Sequence, residues 1–372
     1  MSIDLYVLRE DTMENVGFVL DYNSMVWTDR YSSAGEFSLS FKGGDPFADL
    51  LSFGRLLRTP KSKKLMMIQS KEISVDDSGE LSVIYSGESL EARFKKRVIS
   101  WDHRNPANLK KPSVAMRDMM AHCFGDYSDA WSWSRNNVVG LMFTNTAVDP
   151  NPAEHLSQRP LMPAYEEIEK LAKSYNLGIN LMYDFNAKKY IGGVYTGIDR
   201  TATLTFSTLF NNIDSTRLIS STINMANQAV VVSGAPHPVD ITQRQNESIR
   251  VDAPKGVNPT PTGFALTQML VQAPEVKPNT TKFVGLQYDD PTFYNALTSI
   301  GKTALSRTSQ PSESLDAKIE QNTLPIYNNG YSLGDKVTVM DPAGGRKTAL
   351  ISEVILGSSE QGDVVYPGFT VL

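Results

Sequence analysis

Cysteine and histidine are scarce in this chain. The single cysteine, Cys123, excludes an internal disulfide. The four histidines stand at 103, 122, 155 and 237, with no HxxxH or HxxEH spacing. His122 and Cys123 are neighbours, so on a helix they point about 100° apart and need ligands from elsewhere. They read as a core cysteine beside a surface histidine rather than a metal site. No apolar run approaches the roughly 18 residues that a membrane-spanning helix needs. The N-terminus, MSIDLYVLREDTMENVG, has acids early, no basic lead and no long apolar core, so no signal peptide is expected. Without one, Asn246-Glu247-Ser248 and Asn279-Thr280-Thr281 carry no expectation of glycosylation despite matching the acceptor pattern.

Motifs of the common catalytic classes are also missing. There is no Gly-x-Ser-x-Gly elbow. The nearest thing to a phosphate loop, Ala343-Gly344-Gly345-Arg346, lacks Gly-Lys-Ser/Thr and sits between strands, so it reads as a hairpin turn. Glu166, Glu167 and Glu169 read as the solvated face of a helix rather than paired catalytic carboxylates. Asp199-Arg200 reads as a local ion pair fixing the entry to a strand. Tyr127, Trp131 and Trp133 could stack on sugar rings, but a small satellite core accounts for them better. The expectation is no catalytic, cofactor-binding or metal-ligating residue, and no cofactor. Lysines and arginines number 36 against 41 acids, a net charge of −5. That balance argues against gripping nucleic acid through a basic face. It does not argue against DNA sliding past.

What the chain does contain is strand signal. Residues 1–100 alternate in short stretches: Leu5 to Leu8, Val16 to Leu20, Val26 to Tyr31, Glu36 to Phe41, Arg55 to Arg58, Leu65 to Ile73 and Leu81 to Tyr85. Such spacing suggests a barrel or sandwich. Residues 101–194 change character. Ser113 can cap a helix running to Phe124, with Met116, Met119 or Met120, and Cys123 on one side. Pro163 to Leu177 is the clearest helix, with Tyr165, Ile168, Leu171, Ala172 and Tyr175 as its apolar stripe. Glu166–Lys170 and Glu169–Lys173 form i,i+4 pairs on it, and Gly178 can end it. A hairpin around Asn186 to Lys189 follows, making a small α+β domain.

The stretch from Tyr195 to Gly234 returns to β patterning. Thr201, Thr203, Thr205 and Ser207 alternate with Ala202, Leu204 and Phe206, and Arg217 to Val232 reads as two strands interrupted at Asn224 to Asn227. Residues 253–317 are rich in Pro, Gly, Thr and Val, then carry a helix capped by Asp290 with Pro291 first. This segment reads as a loop and helix excursion whose Phe293–Ile300–Ala304 face serves a neighbouring subunit or another protein. A repeat underlies the whole. Gly54-Arg55-Leu56-Leu57-Arg58, Ile68 to Ile73 and Val83 to Gly87 follow the same glycine–strand–turn–strand–turn–strand order as Gly334 to Val339, Ile351 to Ile355 and Val364 to Gly368. The expected fold is mainly β with α+β insertions. Two similar β-barrel-like modules occupy 1–100 and 195–252 with 318–372; an α+β domain occupies 101–194 and the excursion 253–317.

Three stretches carry a resemblance. Tyr195-Thr196-Gly197-Ile198-Asp199-Arg200-Thr201 precedes a polar–apolar strand and then Asn227-Gln228-Ala229-Val230-Val231-Val232-Ser233-Gly234. Val26-Trp27-Thr28-Asp29-Arg30-Tyr31 leads into Ala34-Gly35-Glu36-Phe37-Ser38-Leu39. Tyr331-Ser332-Leu333-Gly334-Asp335-Lys336-Val337-Thr338-Val339 lies near the C-terminus. In order and spacing the chain resembles the hub proteins of long, non-contractile phage tails, with 253–317 outside the likeness. The resemblance implies a structural tail-tip or baseplate hub, non-enzymatic, with a fold shared with contractile-phage hubs and the base of type VI secretion spikes. It implies a place in the virion tail tip after synthesis in the host cytoplasm, and a role in host cell attachment and DNA ejection. The implied partners are a distal tail protein or tail tube ring, a tape measure protein, and distal fibre, spike or receptor-binding proteins. Tail tubes of this kind are generally sixfold and fibres threefold, so a chain with two similar modules suits a homotrimer whose inner wall is quasi-sixfold. The alternative is a tail-associated protein that binds or degrades cell wall. Against it, the chain ends soon after the second β module, and 253–317 is too short for such a domain.

Overall fold

The computed structural model describes residues 3–75, 77, 79–99, 111–124, 138, 141–149, 162–210, 212–213, 215–236, 246–253, 262–273, 276–280, 282–284, 287–309, 312–318, 326–341 and 343–372. His103, Tyr127, Trp131, Trp133, His155 and His237 lie outside them.

The first β stretch forms β1 (Leu5–Leu8), β2 (Asn15–Val19), β3 (Ser24–Arg30), β4 (Glu36–Lys42), β5 (Leu56–Arg58), β6 (Leu65–Val75) and β7 (Leu81–Ser89). Alternation sets their faces: Phe37, Leu39 and Phe41 of β4 point inward while Ser38 and Ser40 are less buried. Further along come β8 (Val98–Ile99), α1 (Pro112–Phe124), β9 (Met142–Thr146), β10 (Met162–Pro163), α2 (Ala164–Tyr175), β11 (Gly178–Asp184) and β12 (Lys189–Tyr195). They are followed by β13 (Thr205–Phe206), β14 (Ser215–Ser221), β15 (Gln228–Pro236), β16 (Asn246–Asp252), β17 (Gln268–Ala273), β18 (Phe283–Val284), β19 (Gln287–Tyr288) and α3 (Pro291–Thr308). The chain closes with β20 (Ser312–Lys318), β21 (Lys336–Met340), β22 (Arg346–Ser359) and β23 (Gly362–Val371).

Among the described residues one 13-stranded sheet runs β14-β20-β23-β22-β3-β4-β7-β6-β5-β1-β2, with β21 on β22 and β13 on β21. Its two halves have the same order: β3-β4-β7-β6-β5 and β14-β20-β23-β22-β21. The correspondence extends to single hydrogen bonds. Gly54 and Gly334 have φ of +81° and +84°. The Gly54 N–H donates to Ile68 O, and Ile68 N–H donates to Arg55 O. The Gly334 N–H likewise donates to Ile351 O, and Ile351 N–H to Asp335 O. Directly after each isoleucine the register slips, between Ile68 and Ser70 against β7 and between Ile351 and Glu353 against β23. The repeat read from the sequence is thus one meander built twice. The halves join edge to edge, Glu353–Ser359 of β22 pairing with Arg30–Ser24 of β3, and share one core. Trp27, Phe37 and Tyr85 enter it from one half and Phe206, Val354 and Phe369 from the other.

The second core holds the α+β part. Met116, Met119, Met120 and Cys123 of α1 pack with Ile168, Leu171 and Ala172 of α2 and with Ile179 and Leu181 of β11. Two local expectations change. Ser113 does not cap α1 with its own hydroxyl; its N–H and Oγ both donate to the Asp149 carboxylate, at 3.0 and 2.7 Å. The residue that ends α2 is Asn176 (φ 51°), not Gly178, which already lies in β11. Glu169 and Lys173 pair at 2.8 Å as expected, whereas Lys170 reaches Glu167 at 3.7 Å instead of Glu166.

A third core corrects the expected boundaries. β15 and β16 do not join the second β module. β15 pairs with β16 on one side and β17 on the other, outside the large sheet. α3 covers that sheet: Phe293, Leu297 and Leu305 pack with Ala229, Val231, Val251 and Ala273. The apolar face of α3, expected to await a partner, is therefore occupied by this chain's own strands. β15 is apolar through Ala229-Val230-Val231-Val232, and that stripe is what buries it. Periodicity alone does not say which sheet a strand joins.

Candidate functional site: the joint between the two halves

Three of the stretches that carried the resemblance, 26–39, 195–201 and 331–339, meet around β3, β21 and β22; the fourth, 227–234, lies in the separate sheet of β15. On β3, alternation points Met25, Trp27 and Asp29 inward, so a carboxylate occupies an apolar phase. Three donors surround it. Trp27 Nε1–H reaches Asp29 Oδ1 at 2.9 Å; Ser62 Oγ–H and Tyr327 O–H reach Oδ2 at 2.6 and 2.9 Å. Burial pushes the Asp29 carboxyl above its ordinary range, against the pull of nearby Lys64 and the three donors. Lys64 itself is buried and holds Glu91 at 2.7 Å, and Leu181 N–H donates to the same Glu91 oxygen at 3.3 Å. A chain of charge thus runs from the sheet into the α+β part.

Tyr31 directly follows β3 and stitches the three regions. Its N–H donates to Ser352 O, the residue inside the β22 slip, at 2.9 Å. Its hydroxyl lies 3.1 Å from both Asn176 O and Tyr195 O, sharing one proton. Its ring meets Tyr195 edge-on at 5.2 Å. Gly178 and Gly334 flank it so tightly that a Cβ on either would sit 2.3 or 2.2 Å from ring carbon Cε2.

Arg200 does not pair with its neighbour Asp199. Its Nε–H donates to Asp335 Oδ2 at 2.8 Å, across 135 residues. Asp335 also accepts Ile198 N–H at 2.8 Å and Ser332 N–H at 3.0 Å, which its burial demands. Asp199 instead accepts the Thr201 N–H and hydroxyl, which hold its carboxyl below the usual range. The strand expected over 201–207 shrinks to β13 because residues 201–203 form a turn, Thr201 bonded to Asp199 and the Thr203 N–H donating to Arg200 O. Sequence reasoning missed the Asp29 and Asp335 networks. The available signal was an acid in the inward phase of an apolar strand, since a charge buried there needs partners.

This joint fastens: its two buried carboxylates, Asp29 and Asp335, are each held by three donors. Among the described residues no group of three or more His, Cys, Asp or Glu is arranged to hold a metal. Cys123 is buried, and burial pushes its thiol up to about 12. Among those residues no helix is long and apolar enough to cross a membrane.

The fold, with its meander built twice and fused through β22, is similar to that of solved phage tail proteins. The 43 kDa tail protein of prophage MuSo2 from Shewanella oneidensis superposes with a TM-score of 0.58 at 11% identity, covering 99% of this chain and 98% of that one. The tail protein of Neisseria meningitidis MC58 gives 0.56 at 12%, covering 100% and 97%. A chain of the lidded Francisella PdpA–VgrG complex gives 0.52 at 14%, covering all of this chain and 52% of the other. Among curated proteins no sequence matches. The fold class is therefore that of phage tail proteins and VgrG-like spike proteins, mostly β with few helices. The chain belongs to the family of siphovirus ReqiPepy6 Gp37-like proteins, whose profile it matches over residues 4–368.

Proposed function

We propose that the chain is the structural hub of a siphophage tail tip or baseplate. Three copies form a ring that adapts a sixfold tail tube to threefold distal tip proteins and lines the channel through which DNA leaves. The observation that carries this reading is the doubled meander, with matching glycines, slips and hydrogen bonds, fused edge to edge within one chain. Three chains with two such halves present six similar units, which meets a sixfold ring on one side while keeping threefold symmetry on the other. The distal tail protein or tube ring and the tape measure protein lie above it in this reading, and fibre, spike or receptor-binding proteins below. The hub is non-enzymatic, and the DNA passes without specific binding. A density map of the assembled tail tip with this chain located tests the reading. Three copies with both halves facing the axis are expected; six copies per ring, or only one half facing the axis, overturn it. Turnover of purified peptidoglycan by the chain would overturn the non-enzymatic part.

A further inference from the structure

The match between the two halves can be carried strand by strand. Ile68 and Ile351 correspond by their slips and hydrogen bonds. The residues after the slips, Ser70 and Glu353, face Ser86 on β7 and Gly368 on β23. Those two face Ser38 on β4 and Asp316 on β20, which in turn face Val26 on β3 and Arg217 on β14. The correspondence places Ser24–Arg30 on Ser215–Ser221, so β3 and β14 match residue for residue over their whole lengths.

Within the chain, the far half of β22 pairs with β3. Its counterpart, the far half of β6 from Ser70 to Val75, pairs with β7 along one edge; among the described residues β5 covers only Leu65 to Met67 on the other. Among the described residues β14, the counterpart of β3, ends the sheet and pairs only with β20. Ile73 and Val75 are 60% and 63% exposed, and Ile219 is 39% exposed. Long bare edges bearing β-branched residues are what soluble proteins otherwise guard against.

We infer that a second copy of this chain covers these edges: β6 of one copy from Ser70 to Val75 adds antiparallel to β14 of the next, repeating between copies the β22–β3 joint found within each. This rests on the hub reading and names its interface. The internal joint also fixes the register. Leu356 faces Trp27, Ile355 faces Thr28 and Gly357 faces Val26. Transferred, Ile73 faces Leu218, Glu72 faces Ile219 and Ser74 faces Arg217. Ile73 and Leu218 then share the core side. On the other side Glu72 lies diagonal to Arg217, a favourable charge pair within side-chain reach. Each copy has one edge of each kind, so the contact is head to tail and must close into a ring or run on as a fibre. Closure at three uses every such edge.

Cysteine pairs in assembled tails test this. Tails with the unaltered chain are counted first for copies per tip. Ile73→Cys with Leu218→Cys, and separately Glu72→Cys with Ile219→Cys, are in register; Ile73→Cys with Ile219→Cys places the thiols on opposite faces. After mild oxidation and alkylation, most of the chain with either in-register pair should run on a non-reducing gel at about three times 41.1 kDa and return to monomer with reductant. The out-of-register pair should stay monomeric. Having two in-register pairs protects the test if one variant fails to assemble. Three copies per tip with no in-register cross-link, or with the out-of-register pair linking as well, overturn this interface and leave the hub reading standing. A count other than three overturns both.

Discussion

Gly334 lies against the Tyr31 ring so closely that a Cβ on it would sit 2.2 Å from ring carbon Cε2. Its counterpart Gly54 has the same left-handed backbone, yet a Cβ there would meet only Glu10 Oε2, at 3.9 Å. Gly54→Ala should therefore cost about 1 kcal/mol, the strain of positive φ alone. Gly334→Ala should cost about 3 kcal/mol or more, because the ring is pinned by its hydroxyl and cannot yield. Urea denaturation of the two variants measures the difference; equal losses would mean that Tyr31 moves aside freely.

Asp29 gives a prediction with a pH sign. Asp29→Ala strands the Trp27 N–H and the Ser62 and Tyr327 hydroxyls, and should cost about 3–5 kcal/mol. Asp29→Asn keeps an acceptor and should cost less. The Asp29 carboxyl is raised above 3.8 by burial. Its stabilising contribution is therefore fully present below pH 3.8 and lost as pH rises through the folded-state value. The asparagine variant escapes that loss, so its stability relative to the parent should improve between pH 4 and pH 7. A gap that widens in that interval would contradict the burial argument.

On α2, Ile168 is fully buried and Glu166 is exposed. Ile168→Asp should cost about 3–5 kcal/mol, as an unpaired charge in a core does. Glu166→Ala should cost under about 1 kcal/mol. Thermal melts separate the two, and similar losses would mean that the stripe faces the wrong way.

Alkali should unfold the protein cooperatively. Burial pushes the Tyr190 hydroxyl and the Cys123 thiol each up to about 12, and Tyr31, Tyr165 and Tyr331 further still. Groups raised in this way contribute stability that is whole below their ordinary values of 9.0 and 10.0 and lost as pH climbs through the folded-state values. Melting temperature should therefore fall above about pH 9–10. At pH 8 native Cys123 should react with iodoacetamide about a thousandfold more slowly than a free thiol, since so little of it is thiolate. Rapid labelling followed by mass spectrometry would expose an open second core.

With a net charge of −5, the chain should show no duplex DNA binding at physiological salt. Fluorescence anisotropy with a labelled duplex checks this, and a sub-micromolar Kd near about 150 mM salt would refute a non-stick channel.

Much of this protein is set locally and could be read directly. Alternation in Phe37-Ser38-Leu39-Ser40-Phe41 and the Asp290-Pro291 helix start are decided by neighbours a few residues away. Their secondary structure and the repeat follow from the order of residues. What the sequence could not decide is which surfaces meet. Ala229 to Val232 is equally apolar whether it joins the large sheet or shelters under α3. Asp199 stands next to Arg200, yet the arginine is held by Asp335 because folding brings a buried, triply accepting carboxylate within reach. Gly178 looks like a helix stop but is required by the Tyr31 and Tyr195 rings. Local propensity costs fractions of a kcal/mol per residue, whereas burying a charge or closing a core costs several. Tertiary contacts therefore overrule local signals wherever the two conflict.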